Sequence, residues 1–231
     1  MLEWYPGGLE ERDVGGDTEL AVFTDERGEA GLRRAFADVT AAHVEPGWED
    51  RWKEFHRPVR AGGLWIGPPW IDPPVGEAAV VVDPGRAFGT GAHPTTRASV
   101  ELLARIGRGS LLDAGCGSGV VSVAAARLGF EPIVAVDVDE VAVGVTREIA
   151  RANGVELHVF QADVLRDELP HADVVVANIE LAVVERMLGR ATHPVAVTSG
   201  YLASETPTAP GWTRTDRVEV DGWAADVLHA T

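Results

Sequence analysis

Two acids and three glycines carry the first hint of chemistry. Asp113 closes the apolar pair Leu111–Leu112 and is followed by glycines at 115, 117 and 119. A second apolar run, Ile133 to Asp137, ends on another acid 22 residues beyond Gly115. Glycines where a strand turns into a helix let a ligand approach the backbone, and an acid closing the next strand accepts bonds from ribose hydroxyls. The pair therefore points to an adenine nucleoside. A tight strand-to-helix turn would account for the glycines but not for Asp137.

The kind of nucleoside follows from two departures. A dinucleotide fingerprint wants its third glycine where Val120 stands. Asp113, two residues before Gly115, would repel a pyrophosphate. An adenosine that carries a sulfonium and an amino acid, and no phosphate, suits this loop: S-adenosylmethionine. Backbone contact is expected at Gly115 and Gly117, with Asp113 facing the cationic end.

Further candidates lie elsewhere in the chain. Asp163 follows the third strand in Gln161-Ala-Asp-Val, where an acid can accept the exocyclic amine of adenine or simply be a loop acid. Ala87-Phe-Gly-Thr-Gly-Ala-His-Pro-Thr-Thr96 is a second glycine loop. It lacks the lysine of a phosphate-binding loop, so ATP is not expected. It leads into a helix whose free N–H groups and threonine hydroxyls can hold a carboxylate, or which Thr95 or Thr96 simply caps. Asn178 closes the strand Val174 to Asn178, at the edge where open α/β sheets bind ligands; a turn former is the plain alternative. Cys116 reads as a small residue between glycines, and His93 as a brace of its loop. The histidines show no metal-ligand spacing, so no metal is expected.

The elements that must position these residues alternate between strand and helix after residue 76. Helices are expected over 95–106, 119–128 and 140–153, and strands over 80–82, 111–113, 133–137, 157–161, 174–178 and 195–198. Runs apolar at every position belong to strands buried on both faces, hence to a parallel sheet. Asp221-Gly222 between two alternating segments predicts a hairpin, so the sheet should finish with an antiparallel pair. Before residue 76 the chain is less regular. Residues 1–58 read as a small α+β unit with a strand over 19–24 and a helix over 29–39. Residues 59–75 read as a Trp/Pro-rich linker, and residues 76–231 as the cofactor domain. The tryptophans Trp48, Trp52, Trp65 and Trp70 are expected to pack this arm onto the main domain, with anchoring of a partner as the alternative.

Composition bounds the class. The 231 residues are 45% hydrophobic, enough for one α/β core and an appendage. No apolar run approaches a membrane span, no signal peptide is evident, and one cysteine fits a reducing compartment, so a soluble cytoplasmic protein is expected. The net charge is −16. Such a surface disfavours nucleic acid and membrane phosphates and favours a basic partner, although solubility alone would also account for it.

Together these motifs resemble a family. Asp83-Pro-Gly-Arg-Ala-Phe-Gly-Thr-Gly-Ala-His-Pro-Thr-Thr96 is similar to the signature of the PrmA family, the methyltransferases of ribosomal protein L11. Leu112-Asp-Ala-Gly-Cys-Gly-Ser-Gly119, Val136-Asp-Val-Asp139 and Val176-Ala-Asn-Ile179 follow in that family's order. The resemblance runs from about residue 48 to the C-terminus. It implies a Rossmann-like seven-stranded methyltransferase sheet with an antiparallel last strand, preceded by a ferredoxin-like α+β unit. That unit lacks its first strand and helix here, and Met1 then reads as a late start. It also implies that Thr96, Gly115, Asp137 and Asn178 contact S-adenosylmethionine, with Asn178 beside the target amine. Trp223 matches a family tryptophan near the site, and Phe88 is expected to wall the pocket with it. The implied reaction methylates lysine side-chain and N-terminal amines of ribosomal protein L11. The rival acceptor is another protein lysine, such as one of the electron-transfer flavoprotein β subunit. Competing classes are a nicotinamide-dependent oxidoreductase, which Val120 and Asp113 oppose, and a non-catalytic cofactor-binding module.

Overall fold

A computed structural model describes residues 10–14, 17–21, 26–36, 38–40, 56–83 and 91–231. The chain divides into two units, Met1–Arg51 and Trp52–Thr231. In the first, β1 (Glu10–Val14) pairs antiparallel with β2 (Asp17–Ala21), Glu10 opposite Ala21 and Val14 opposite Asp17. A helix, α1 (Glu26–Ala35), follows. Strand β1 is absent from the sequence expectation because Glu-Glu-Arg-Asp-Val has one apolar residue and no alternation to detect. On α1, Arg33 pairs with Glu29 one turn back at 2.8 Å. Trp48 and Trp52 lie outside the described residues.

The second unit opens with a three-stranded sheet, β3 (Val59–Ala61), β4 (Leu64–Gly67) and β5 (Ala79–Val81), in that order. The stretch expected to be a linker thus contains two strands. Its prolines all follow β4, and Gly62-Gly63, with φ of +58° and +78°, makes the two-residue turn between β3 and β4. Trp65 is buried in β4. Asn153 secures β5 as a strand partner would: its Oδ1 accepts from Val81 N at 2.8 Å and its Nδ2 donates to Val81 O at 2.7 Å.

Next in chain order are α2 (Pro94–Arg105), β6 (Leu111–Ala114), α3 (Val120–Leu128), β7 (Ile133–Asp137), α4 (Glu140–Ala152), β8 (His158–Gln161) and β9 (Val174–Asn178). The chain finishes with α5 (Leu181–Leu188), β10 (Val195–Leu202), β11 (Trp212–Val220) and β12 (Trp223–Ala230). Seven strands form one sheet in the order β11-β12-β10-β9-β6-β7-β8. The five from β10 to β8 are parallel, and β12 runs antiparallel to both β10 and β11. This is the Rossmann-like sheet with a reversed last strand. Successive residues feed opposite faces: Leu111, Val174 and Val176 enter one core, Leu112, Val175 and Ala177 the other. That is why these strands are apolar throughout. From β6 the chain winds outward to β7 and β8, then crosses back to β9. The crevice between the carboxyl ends of β6 and β9 is therefore the switch point where open sheets take ligands.

Candidate functional site

The glycine loop is held in one conformation from both sides. Gly115, Gly117 and Gly119 all have positive φ, at +84°, +54° and +78°. A Cβ on Gly115 would lie 2.5 Å from Ile179 Cγ2, so a side chain is excluded by space as well as by backbone angle. Gly115 N and Cys116 N both donate to Val136 O, at 2.8 and 2.9 Å. Thr146, which sequence reasoning missed, donates its hydroxyl to Gly117 O at 3.0 Å and to Cys116 Sγ at 3.2 Å. Burial and the neighbouring Asp113 push the Cys116 thiol up to about 12, so it is an inert packing group.

Asp137 reaches back to this loop. Its Oδ2 accepts from Gly117 N at 2.9 Å and its Oδ1 from Asp139 N at 3.0 Å. A carboxylate oxygen has two acceptor positions, so both oxygens keep one for a diol. Asp113 is buried beneath the loop, where Ser122 Oγ donates to its Oδ2 at 2.5 Å. Burial raises its pKa to about 6, with the Asp137 charge adding to this and the Ser122 bond opposing it. A buried carboxylate held this high is one that a cation would ionise.

Across the crevice stand the described residues at the end of the second glycine loop, from Gly91 into α2. A Cβ on Gly91, where φ is +79°, would sit 2.5 Å from Ile66 Cγ2 and 3.4 Å from Val120 Cγ2. This brings the loop's end against the start of α3. The N-cap of α2 is His93, and not Thr95 or Thr96 as the sequence suggested. Pro94 needs no N–H partner at the first helical position, so the helix starts there and the cap falls on His93, two residues before Thr95. Both threonines are buried in the first turn. Asn178, at the tip of β9, donates from Nδ2 to Thr96 Oγ1 at 3.4 Å. That bond turns the amide so that Oδ1 is the atom left to accept; among the described residues it has no partner. Ile179 is wedged between the glycine loop and Gly200, where a Cβ would come within 2.0 Å of Ile179 O.

Gly115, Gly117, Asp113, Asp137, Thr96 and Asn178 are thus tied to one carboxyl-edge crevice. Asp163 stands in the loop beyond β8, where it serves its own turn. Its Oδ1 accepts from Leu165 N at 2.9 Å, and its Oδ2 pairs with Arg166 at 3.3 Å. Trp223 begins β12, opposite Leu202 and Val220, and its ring meets His93. Phe88 lies outside the described residues. Among the described residues no group of His, Cys, Asp or Glu could hold a metal, and no helix is long and apolar enough to cross a membrane. A groove lined by Arg147, Arg151, Leu157 and His158 opens near the amino end of β8, away from this crevice. Ser122 and Gly200 were not legible in advance, nor was the packing role of Ile179, since only folding brings them to the loop.

Comparison with known proteins places these features in context. The family model for "Ribosomal protein L11 methyltransferase (PrmA)" matches residues 19–206. A ribosomal protein L11 methyltransferase of Streptococcus pneumoniae is 38% identical over 213 residues, 87% of this chain and 65% of that protein. One from Caldanaerobacter subterraneus subsp. tengcongensis is 40% identical over 150 residues, 62% of this chain and 48% of that protein. The chain spans between about half and two thirds of the length of these relatives. Among solved structures, the ribosomal protein L11 methylase of Lactobacillus delbrueckii subsp. bulgaricus matches with a TM-score of 0.65 at 22% identity. The match covers 73% of this chain and 95% of that one, and it shows a shared fold.

Proposed function

The chain belongs to the ribosomal protein L11 methyltransferase (PrmA) family, and on that premise we propose that it transfers methyl groups from S-adenosylmethionine to amines of ribosomal protein L11. The acceptors are lysine side chains, the N-terminal amine, or both. The observation that carries this reading is the Asn178–Thr96 hydrogen bond, which joins the tip of β9 to the first turn of α2 across the crevice.

The residues present fit this cofactor. Asp137, already bonded to Gly117 N, has acceptor capacity left for the ribose diol. Gly115 lets the backbone lie against the nucleoside. The α2 start, with Thr96 buried in its first turn, suits the carboxylate. Asp113, raised to about 6 by burial, suits the ammonium. The exocyclic amine of adenine is assigned to Asp163, whose Oδ1 and Oδ2 keep acceptor capacity beside their turn contacts.

When bound, S-adenosylmethionine supplies a methyl group on a sulfonium sulfur, which leaves with the electrons of the broken bond. The chain's task is to deliver a neutral amine in line with that bond. A free lysine has a pKa of ~10.4, so its ammonium must lose a proton before it can react. A half-buried pocket disfavours the charged form. Asn178 Oδ1 then accepts one N–H of the neutral amine and turns the nitrogen lone pair toward the methyl group. Trp223, half-buried at the start of β12, walls the pocket, with Phe88 as its expected partner. No strong base is needed, because water takes the proton that the methylated amine gives up. The N-terminal unit is assigned to holding the acceptor protein, and the net charge of −16 favours a basic one.

The test is to incubate the protein with methyl-labelled S-adenosylmethionine and purified L11, then map the label by mass spectrometry. Label on L11 amines is expected. Label only on other proteins of a whole extract would replace the acceptor while leaving the chemistry. No label on any protein would end the reading.

A further inference from the structure

We propose that His93 is a positioning residue that sets Trp223 against the start of α2, and so shapes the acceptor pocket from the cofactor side. The choice of residue is the first clue. An N-cap needs a short acceptor, and Ser, Thr, Asp or Asn supplies it best. His93 supplies it weakly: Thr95 N reaches its Nδ1 only at 3.4 Å, while the Thr95 hydroxyl holds the same atom at 2.8 Å. Those two contacts fix the ring. It then meets Trp223 edge to face, with centroids 5.0 Å apart and planes at 67°. This geometry is favourable for aromatic pairs.

The ring contact has work to do at that place. Trp223 directly follows Asp221-Gly222, a turn with φ of +48° and +82° at the end of the β11–β12 hairpin. On one side Trp223 pairs with Leu202 of β10, and on the other lies β11, the edge strand of that sheet among the described residues. Arg97, in the first turn of α2, pairs with Asp221 at 3.1 Å and holds the same turn. The helix start that suits the cofactor carboxylate and the tryptophan that walls the acceptor pocket are therefore joined through one imidazole. This inference rests on the methyl-transfer reading.

Two measurements test it. Asn at position 93 can still cap the helix but cannot reach Trp223, so His93→Asn separates the two roles. In the wild-type background, His93→Asn should lower kcat/KM for L11 about tenfold, chiefly through kcat. Cofactor affinity should stay within about twofold, and the melting temperature should hold. In a Trp223→Ala background the same change should cost less than about twofold. Equal losses in both backgrounds, or no loss in the first, would overturn the proposal. The second measurement needs no acceptor. With fluorotryptophan incorporated, the Trp223 resonance, assigned by its loss in Trp223→Phe, should shift or broaden in His93→Asn. An unchanged resonance contradicts the proposal. Failure of the wild type to methylate L11 counts against the function reading, and the resonance still decides this one.

Discussion

At the scale of single residues, the charge state of Asp113 has the clearest consequences. Burial raises its pKa from 3.8 to about 6 in the folded protein. A carboxyl group raised on folding binds its proton more tightly in the native state, so native stability falls as pH rises between those two values. The contribution is fully present below pH 3.8 and lost above about 6, a change of roughly 3 kcal/mol. Asp113→Asn should remove this slope from the pH dependence of chemical unfolding. If Asp113 faces the cofactor's ammonium, affinity for S-adenosylmethionine should rise as pH passes through about 6, and calorimetry should find that rise missing in Asp113→Asn. Asp113 and Asp137 were legible as candidate site residues because each acid closes an apolar strand. Ser122 was not, because a serine inside a helix carries no sign of the carboxylate it will meet.

At the scale of elements, the site exists because three chain segments converge and cannot move apart. Ile179 is the wedge, packed between Gly115 of the glycine loop and Gly200 in β10. Gly200→Ala would put a methyl group 2.0 Å from Ile179 O at a residue whose φ is +104°. The backbone cannot yield without moving Asn178, so the variant should lose about 3 kcal/mol or more and bind the cofactor poorly. Thermal melting and calorimetry would show both losses together; a wild-type melting curve would mean that the wedge is slack. Strands such as Ile133–Asp137 and Val174–Asn178 could be read to the residue, since continuous apolar runs ending on polar groups have few alternatives. Helix α5 escaped notice because Glu180, its N-cap, makes no side-chain cap bond, and Val183 and Val184 are equally at home in a strand. Strands β3 and β4 were obscured by the prolines beyond them, although Gly62-Gly63 between two apolar segments was a hairpin signal in plain view.

At the scale of the whole molecule, the net charge of −16 is a property no single element explains. It could be read from composition, but its purpose could not, because solubility and attraction to a basic partner look alike in a sequence. They differ in their response to salt. If the charge recruits a basic acceptor, KM for L11 should rise several-fold between about 50 and 200 mM salt. Affinity for S-adenosylmethionine should change by less than about twofold over the same range, since the contacts proposed for it lie inside the crevice. A flat KM would assign the charge to solubility.

The central claim is that Asn178, turned by Thr96, aims the acceptor amine in a site that the glycine loop and α2 build for the cofactor. The direct test compares wild type with Asn178→Ala by calorimetry for S-adenosylmethionine and by single-turnover transfer to L11. The account predicts a cofactor affinity within about threefold of wild type and a transfer rate lower by roughly a hundredfold. Transfer at the wild-type rate with normal cofactor binding would contradict it.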